Sequence, residues 1–130
     1  MLSQLRYTCL TMIHSNEFLA LVADAKTRIL ECDVDEARAR ITSGAVLIDV
    51  REDNEYAAGH AAGAKHMGKG IIERDIVQAY PDKDQVLVLY CGGGYRSALA
   101  VDNLTKMGYS NAWSMDGGWK AWQESGAPVE

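Results

Sequence analysis

Two kinds of apolar spacing alternate along the chain. Phe18, Val22, Ala25 and Ile29 recur at helical intervals and predict an amphipathic helix over residues 16–30. Asp33 and Glu36 stand at capping-box spacing, so a second helix is expected from Asp33 to Gly44. Ala45–Val50 then reads AVLIDV, a short apolar run rich in β-branched residues, as in a strand covered on both faces of a parallel sheet. Gln85–Tyr90 (QVLVLY) repeats that pattern, Ala112–Met115 is a weaker third case, and Ala64–Met67 reads as a short edge strand. Helical stretches lie between and after them at Ile71–Ala79, Ser97–Met107 and Trp119–Ser125. In the middle one Ala100, Val101, Leu104 and Met107 share a face, and Gly108 ends it. Strands alternating with helices imply an α/β fold with a largely parallel sheet. Residues 1–14 lack clear periodicity, so the chain divides into an N-terminal arm and helix (1–30) and a single domain (31–130).

Composition narrows the function classes. At 130 residues and 14.2 kDa, with 48% hydrophobic and 24% charged residues, the chain suits one folded core. A formal charge of −5 and a pI of 5.1 argue against nucleic acid or an anionic membrane as partner, since both require a basic face. Apolar runs such as Phe18–Ala23 are far short of the roughly 20 residues that span a bilayer. The Leu10–Ile13 stretch, broken by His14, Asn16 and Glu17, is a poor signal peptide. Cys9, Cys32 and Cys91 form no CxxC pair and suggest a reducing, cytoplasmic setting. His14 and His66 have no ligand spacing to any cysteine, so no metal is expected.

The informative segment is Tyr90-Cys91-Gly92-Gly93-Gly94-Tyr95-Arg96-Ser97, where a buried strand runs into a helix. Ligands bind at such junctions in open α/β sheets. Three glycines let the loop curl and turn several N–H groups toward one point. The helix N-terminus adds unpaired N–H groups and partial positive charge, and Arg96 adds planar donors for an oxyanion. A free cysteine has a pKa of ~8.5, and an anion cradle of this kind favours the reactive thiolate. Cys91 is therefore read as a nucleophile.

The loop resembles the active-site loop of rhodanese-type sulfurtransferases. The resemblance extends from about Asp33 to Glu130. Asp49-Val50-Arg51-Glu52 matches the family's Asp-x-Arg segment. Glu55-Tyr56-Ala57-Ala58-Gly59-His60-Ala61-Ala62-Gly63-Ala64 matches its Glu-aromatic-x-x-Gly-His-x-x-Gly-Ala segment. Gly117-Gly118-Trp119, Trp122 and Gly126-Ala127-Pro128-Val129 match its ending. The resemblance implies a rhodanese-like three-layer fold, a mostly parallel sheet of about five strands flanked by helices. It also implies that Cys91 takes sulfur from a donor such as thiosulfate, holds it as a persulfide cradled by the amides of Gly92, Gly93, Gly94, Tyr95, Arg96 and Ser97, and passes it to cyanide, a small thiol or a protein thiol. Asp49, Arg51 and His60 would then support the site structurally. No cofactor beyond the covalent persulfide is implied, and a monomer is expected.

Rival readings remain open at this level. Cysteine-dependent phosphatases and arsenate reductases use Cys, five residues, then Arg, whereas four residues separate Cys91 from Arg96. Gly92-x-Gly94-x-x-Ser97 imitates a dinucleotide fingerprint but lacks its third glycine. A non-catalytic interaction domain that docks through residues 1–30 is the alternative from another class. Thiosulfate-using relatives often carry a basic residue after the cysteine, where this chain has Gly92, and mercaptopyruvate-using relatives usually have a small uncharged residue in place of Arg96. Trp113, Trp119 and Trp122 are expected to pack against the sheet or wall the pocket, Tyr95 to sit at an exposed loop tip, and Cys9 and Cys32 to be bystanders.

Overall fold

The computed structural model describes residues 14–130. Along it run α1 (Asn16–Lys26), β1 (Leu30–Cys32), α2 (Val34–Thr42), β2 (Val46–Asp49), α3 (Asp53–Ala58) and β3 (Lys65–His66). Then come α4 (Ile72–Ala79), β4 (Leu87–Tyr90), α5 (Tyr95–Lys106), β5 (Ala112–Met115) and α6 (Gly118–Glu124). The strands pair in parallel, in the order β1-β5-β4-β2-β3.

Central β4 buries all four of its residues, which explains its unbroken apolar run. Leu87 and Leu89 enter one core with Ile72 and Ile76 of α4 and Ala100, Val101 and Leu104 of α5. Val88 and Tyr90 enter the other with Val34 and Ala37 of α2 and Trp122 of α6. Helices thus cover both faces of the sheet, the three-layer arrangement that the resemblance implies. Each large side chain so buried contributes roughly 1.5–3 kcal/mol.

Two elements depart from the sequence expectation. The helix expected over 16–30 stops at Lys26, with the Thr27 amide closing its last turn, and Leu30–Cys32 instead pairs with Trp113–Met115 of β5. This three-residue edge strand buries only Cys32, too short an alternation to be read. α3 was not anticipated because it buries none of its six residues and has no apolar stripe. The expected capping box forms at the start of α2, with Glu36 N–H donating to Asp33 Oδ1 (2.8 Å) and Asp33 N–H to Glu36 Oε1 (3.0 Å).

α1 is fastened over α5. Val22 and Ala25 are buried, and the Ser15 side chain caps the helix by accepting from Phe18 N–H (3.0 Å). Arg28 Nε and Nη2 donate to Asp102 Oδ1 and Oδ2 (3.1 and 2.8 Å). That hydrogen-bonded pairing holds the Asp102 carboxyl below its ordinary range. Cys9 lies outside the described residues. Among those described, no helix is long and apolar enough to cross a membrane.

Candidate active site

Cys91 follows β4 at the carboxyl end of the central strand and is 1% exposed. Its sulfur accepts from two backbone donors, Gly94 N–H at 3.1 Å and Ser97 N–H at 3.3 Å. Ser97 Oγ lies 3.5 Å from Sγ and 2.8 Å from Ser114 Oγ on the adjacent strand β5. Gly94, at φ +103°, turns the chain back into α5, a conformation open to glycine and strained for a residue with a Cβ. Among the described residues, no hydrogen bond engages the amides of Gly92, Gly93, Tyr95 or Arg96. The loop therefore sets two N–H groups on the sulfur and carries four more that no hydrogen bond engages among the described residues.

The N-terminus of α6 takes up the loop's carbonyls. Trp119 N–H donates to Cys91 O (2.7 Å) and Lys120 N–H to Gly92 O (3.2 Å). Those bonds require a backbone-to-backbone approach at Gly118, where a Cβ would overlap Cys91 O and stand 2.9 Å from Gly92 C and O. Orphan amides of one helix thus satisfy orphan carbonyls of another's entry loop. The sequence reading missed this role. Its signal was the glycine pair directly before a helix, read there only as part of a family ending.

Arg96 is turned toward α3. Its Nη1 and Nη2 donate to Glu55 Oε1 and Oε2 (2.8 and 3.2 Å), and that hydrogen bonding holds the Glu55 carboxyl below its ordinary range. Glu55 Oε1 also accepts from Glu52 N–H (3.0 Å). The loop's arginine therefore enters the site with its charge already paired. Beside Cys91 opens a cleft of about 630 Å³, walled by the loop, Arg96 and Gly117, with Lys120 on its rim. Among the described residues, a further wall comes from His14 and from Phe18 of α1, both against Tyr95. Tyr95 is exposed, as expected, but it is the first residue of α5 and a wall of this cleft rather than a loop tip.

Asp49 and Arg51 form a buried pair beneath the site. Arg51 Nη2 donates to Asp49 Oδ2 (2.8 Å) and to Gly59 O (2.7 Å), while Tyr90 O–H donates to Asp49 Oδ2 (2.7 Å). Ala61 N–H donates in turn to Tyr90 Oη (3.0 Å), and burial pushes the Tyr90 phenol well above its ordinary value. This network ties β2, β4 and the 59–61 turn together one residue before Cys91. His60 stacks on Tyr56 (3.8 Å between centroids), donates from Nδ1 to Tyr56 O (2.9 Å), and exchanges backbone bonds with Glu130. It does not line the cleft. Trp119 lies over the Arg51 guanidinium at 4.8 Å, Trp122 is buried, and Trp113 stacks under Arg40 at 3.6 Å. Cys32 is buried apart from the cleft, and burial pushes its thiol up to about 11.

Comparison with known proteins bears on this arrangement. The family model of the rhodanese-like domain matches residues 33–125. The chain belongs to that family. Thiosulfate sulfurtransferase GlpE of Pseudomonas entomophila (strain L48) is 36% identical over 91 residues, covering 70% of this chain and 82% of that one. GlpE of Stutzerimonas stutzeri (strain A1501) is 32% identical over 91 residues, with the same coverage. Among solved structures, human single-domain sulfurtransferase TSTD1 superposes with a TM-score of 0.65 at 28% identity, covering 72% of this chain and 95% of its own. A protein of unknown function from Rhodopseudomonas palustris, described as a possible tyrosine phosphatase, superposes with a TM-score of 0.77 at 28% identity, covering 92% and 98%. Cys91 and its loop fall inside the rhodanese-like match; α1, with Phe18, precedes it.

Proposed function

We propose that this rhodanese-like chain is a sulfurtransferase that carries sulfane sulfur on Cys91, taking it from a donor such as thiosulfate and giving it to a thiophilic acceptor, cyanide or a thiol. The observation that carries this reading is the pair of N–H donors on a buried Cys91 sulfur, inside a loop whose further amides are unbonded among the described residues. Such a concavity stabilises negative charge on sulfur most when water is excluded.

In the first step the Cys91 thiolate attacks the outer sulfur of thiosulfate. An S–S bond to Sγ forms, the donor's S–S bond breaks, and sulfite leaves with the electron pair. The unbonded amides of Gly92, Gly93, Tyr95 and Arg96 then receive the outer sulfur. In the second step the acceptor attacks that sulfur and the electron pair returns to Cys91 Sγ, where Gly94 and Ser97 N–H hold it. The sulfur is carried on the protein's own side chain, so no cofactor takes part in either step. Asp49 and Arg51 brace the strand that ends at Cys91, and His60 fixes the turn beside them. The relatives named as sulfurtransferases support this reading.

The neighbour described as a possible tyrosine phosphatase motivates one rival. A phosphoryl group needs a wider ring and a free arginine, whereas four residues separate Cys91 from Arg96 and Glu55 holds the guanidinium. Thiocyanate formation from thiosulfate and cyanide, and p-nitrophenyl phosphate hydrolysis, measured on one preparation, separate the two. The sulfurtransferase reading expects thiocyanate turnover, abolished in Cys91→Ala, and no phosphate release. Phosphate release without thiocyanate overturns it.

A further inference from the structure

Ser114 is a polar residue in an apolar layer. It stands on β5 opposite Leu89 of β4, is 0% exposed, and shares its face of the sheet with Ala112. Ala112 belongs to the core built with Leu87, Leu89, Cys91, Ala100 and Val101. A hydroxyl taken from water into such surroundings is costly unless a hydrogen bond compensates it. Among the described residues one side-chain partner answers, Ser97 Oγ at 2.8 Å. Ser97 is equally buried and its Oγ lies 3.5 Å from Cys91 Sγ, so the sulfur and two hydroxyls form one chain closed off from water. The two N–H donors on the sulfur come from Gly94 and Ser97 and do not involve Ser114.

The direction of that chain depends on the charge on sulfur. With a thiol, S–H donates to Ser97 Oγ, Ser97 O–H donates to Ser114 Oγ, and the Ser114 hydrogen is left without an acceptor among the described residues. With a thiolate the order reverses: Ser114 donates to Ser97, Ser97 donates to sulfur, and every hydrogen in the chain is used. Ser114 also settles where the Ser97 hydroxyl points. A serine in a helix can turn its hydroxyl back to a carbonyl of the preceding turn, and the bond to Ser114 competes with that arrangement. Ser97 Oγ makes no such backbone bond among the described residues.

We propose that Ser114 is a positioning residue for Cys91: its hydroxyl donates to Ser97 Oγ and thereby aims the Ser97 hydroxyl at a negatively charged sulfur. The proton released on ionisation leaves through the cleft that Cys91 lines. The same chain serves Sγ again when the electron pair returns to it in the second step of the sulfurtransferase reading, on which the kinetic part of this inference rests. No reactant touches Ser114. The other charges about Cys91 are Arg96 of α5 paired with Glu55 of α3, Lys120 of α6 and His14 on the cleft, Asp116 beside Gly94 with Lys26 3.8 Å from it, and the Asp49–Arg51 pair beneath the site. A neutral exchange at position 114 alters none of them.

The test follows iodoacetamide alkylation of Cys91 in the full chain against pH, by peptide mass, together with single-turnover sulfur loading from thiosulfate. Ser114→Ala should move the alkylation profile to higher pH and lower both rates at neutral pH about fivefold, which corresponds to the ~1 kcal/mol of one net hydrogen bond. Ser114→Thr, which keeps the hydroxyl, should restore most of the rate. Ser97→Ala should lose at least as much as Ser114→Ala, and the double variant no more than Ser97→Ala alone, because the effect of Ser114 passes through Ser97. An unmoved profile in Ser114→Ala, a Thr variant as slow as the Ala one, or losses that multiply in the double variant overturns the proposal. A measurement on the unsubstituted chain covers the case of a variant that does not fold. The β-carbon resonances of Ser97 and Ser114 should titrate with the alkylation profile, and a Ser114 resonance that stays flat overturns the proposal. Alkylation tests Ser114 whether or not sulfur loads; failure of the unsubstituted chain to take sulfur from thiosulfate counts instead against the sulfurtransferase reading.

Discussion

Gly118→Ala tests how far the loop's geometry depends on a residue remote in sequence. Gly118 has φ +53°, a left-handed conformation that costs about 1–2 kcal/mol once a Cβ is present. That Cβ would overlap Cys91 O and lie 2.9 Å from Gly92 C and O, all backbone atoms that cannot rotate aside. Either α6 or the loop must move, and overpacking of this kind costs about 1–3 kcal/mol more. A total of about 2–5 kcal/mol is a large part of the 5–15 kcal/mol by which a domain is normally stable. Displacing the reacting sulfur by about 1 Å lowers rates by about 100-fold. Chemical denaturation and single-turnover sulfur loading from thiosulfate measure the two effects. Gly70→Ala is the control, because Gly70 has nothing within 4 Å of its Cβ position and lies outside the site. A Gly118→Ala protein with native stability and a native loading rate would refute the claim that α6 shapes the loop.

Other expectations follow from the charged networks. Asp49→Asn leaves the 4%-exposed Arg51 without its anion and should cost about 3–5 kcal/mol in urea unfolding; a loss under 1 kcal/mol would show the pair to be dispensable. Glu55→Gln releases Arg96 and should change stability by about 1 kcal/mol or less, because the pair is part-exposed, while altering the loading rate for anionic donors; unchanged donor kinetics would separate Arg96 orientation from donor handling. The Glu55 and Asp102 carboxyls both sit below their ordinary range, chiefly through hydrogen bonds from Arg96 and Arg28. Their contribution to stability is complete above about pH 5, where the unfolded carboxylates are already ionised, and is lost as the pH falls through their lowered folded values. Arg28→Ala should flatten the acid limb of the stability curve, and an unchanged limb would contradict the assignment.

Most of the architecture was legible because a sheet buried on both faces writes its strands as compact apolar runs, and β2, β4 and β5 were read on that basis. β1 was not, since one buried cysteine in three residues carries no period, and α3 presents no apolar face at all. In the site, Cys91 and its glycines announced themselves by lying between a strand and a helix. The pairing of Arg96 with Glu55 was invisible, because 41 residues separate them and either charge alone reads as solvated. So was the wall from α1: Phe18 was read as core-facing by its period, whereas tertiary packing sets it half-buried against Tyr95. Gly118 was quoted as part of a motif without the carbonyls it serves, which sit 26 and 27 positions earlier at Gly92 and Cys91.

The claim on which everything else depends is that sulfur rests on Cys91. Intact mass of the full chain after incubation with thiosulfate, followed by peptide mapping, measures it. The account predicts a gain of one sulfur atom located at Cys91, removed by cyanide and absent from Cys91→Ala. A chain that gains no sulfur from any sulfane donor, or gains it at Cys32 instead, contradicts it.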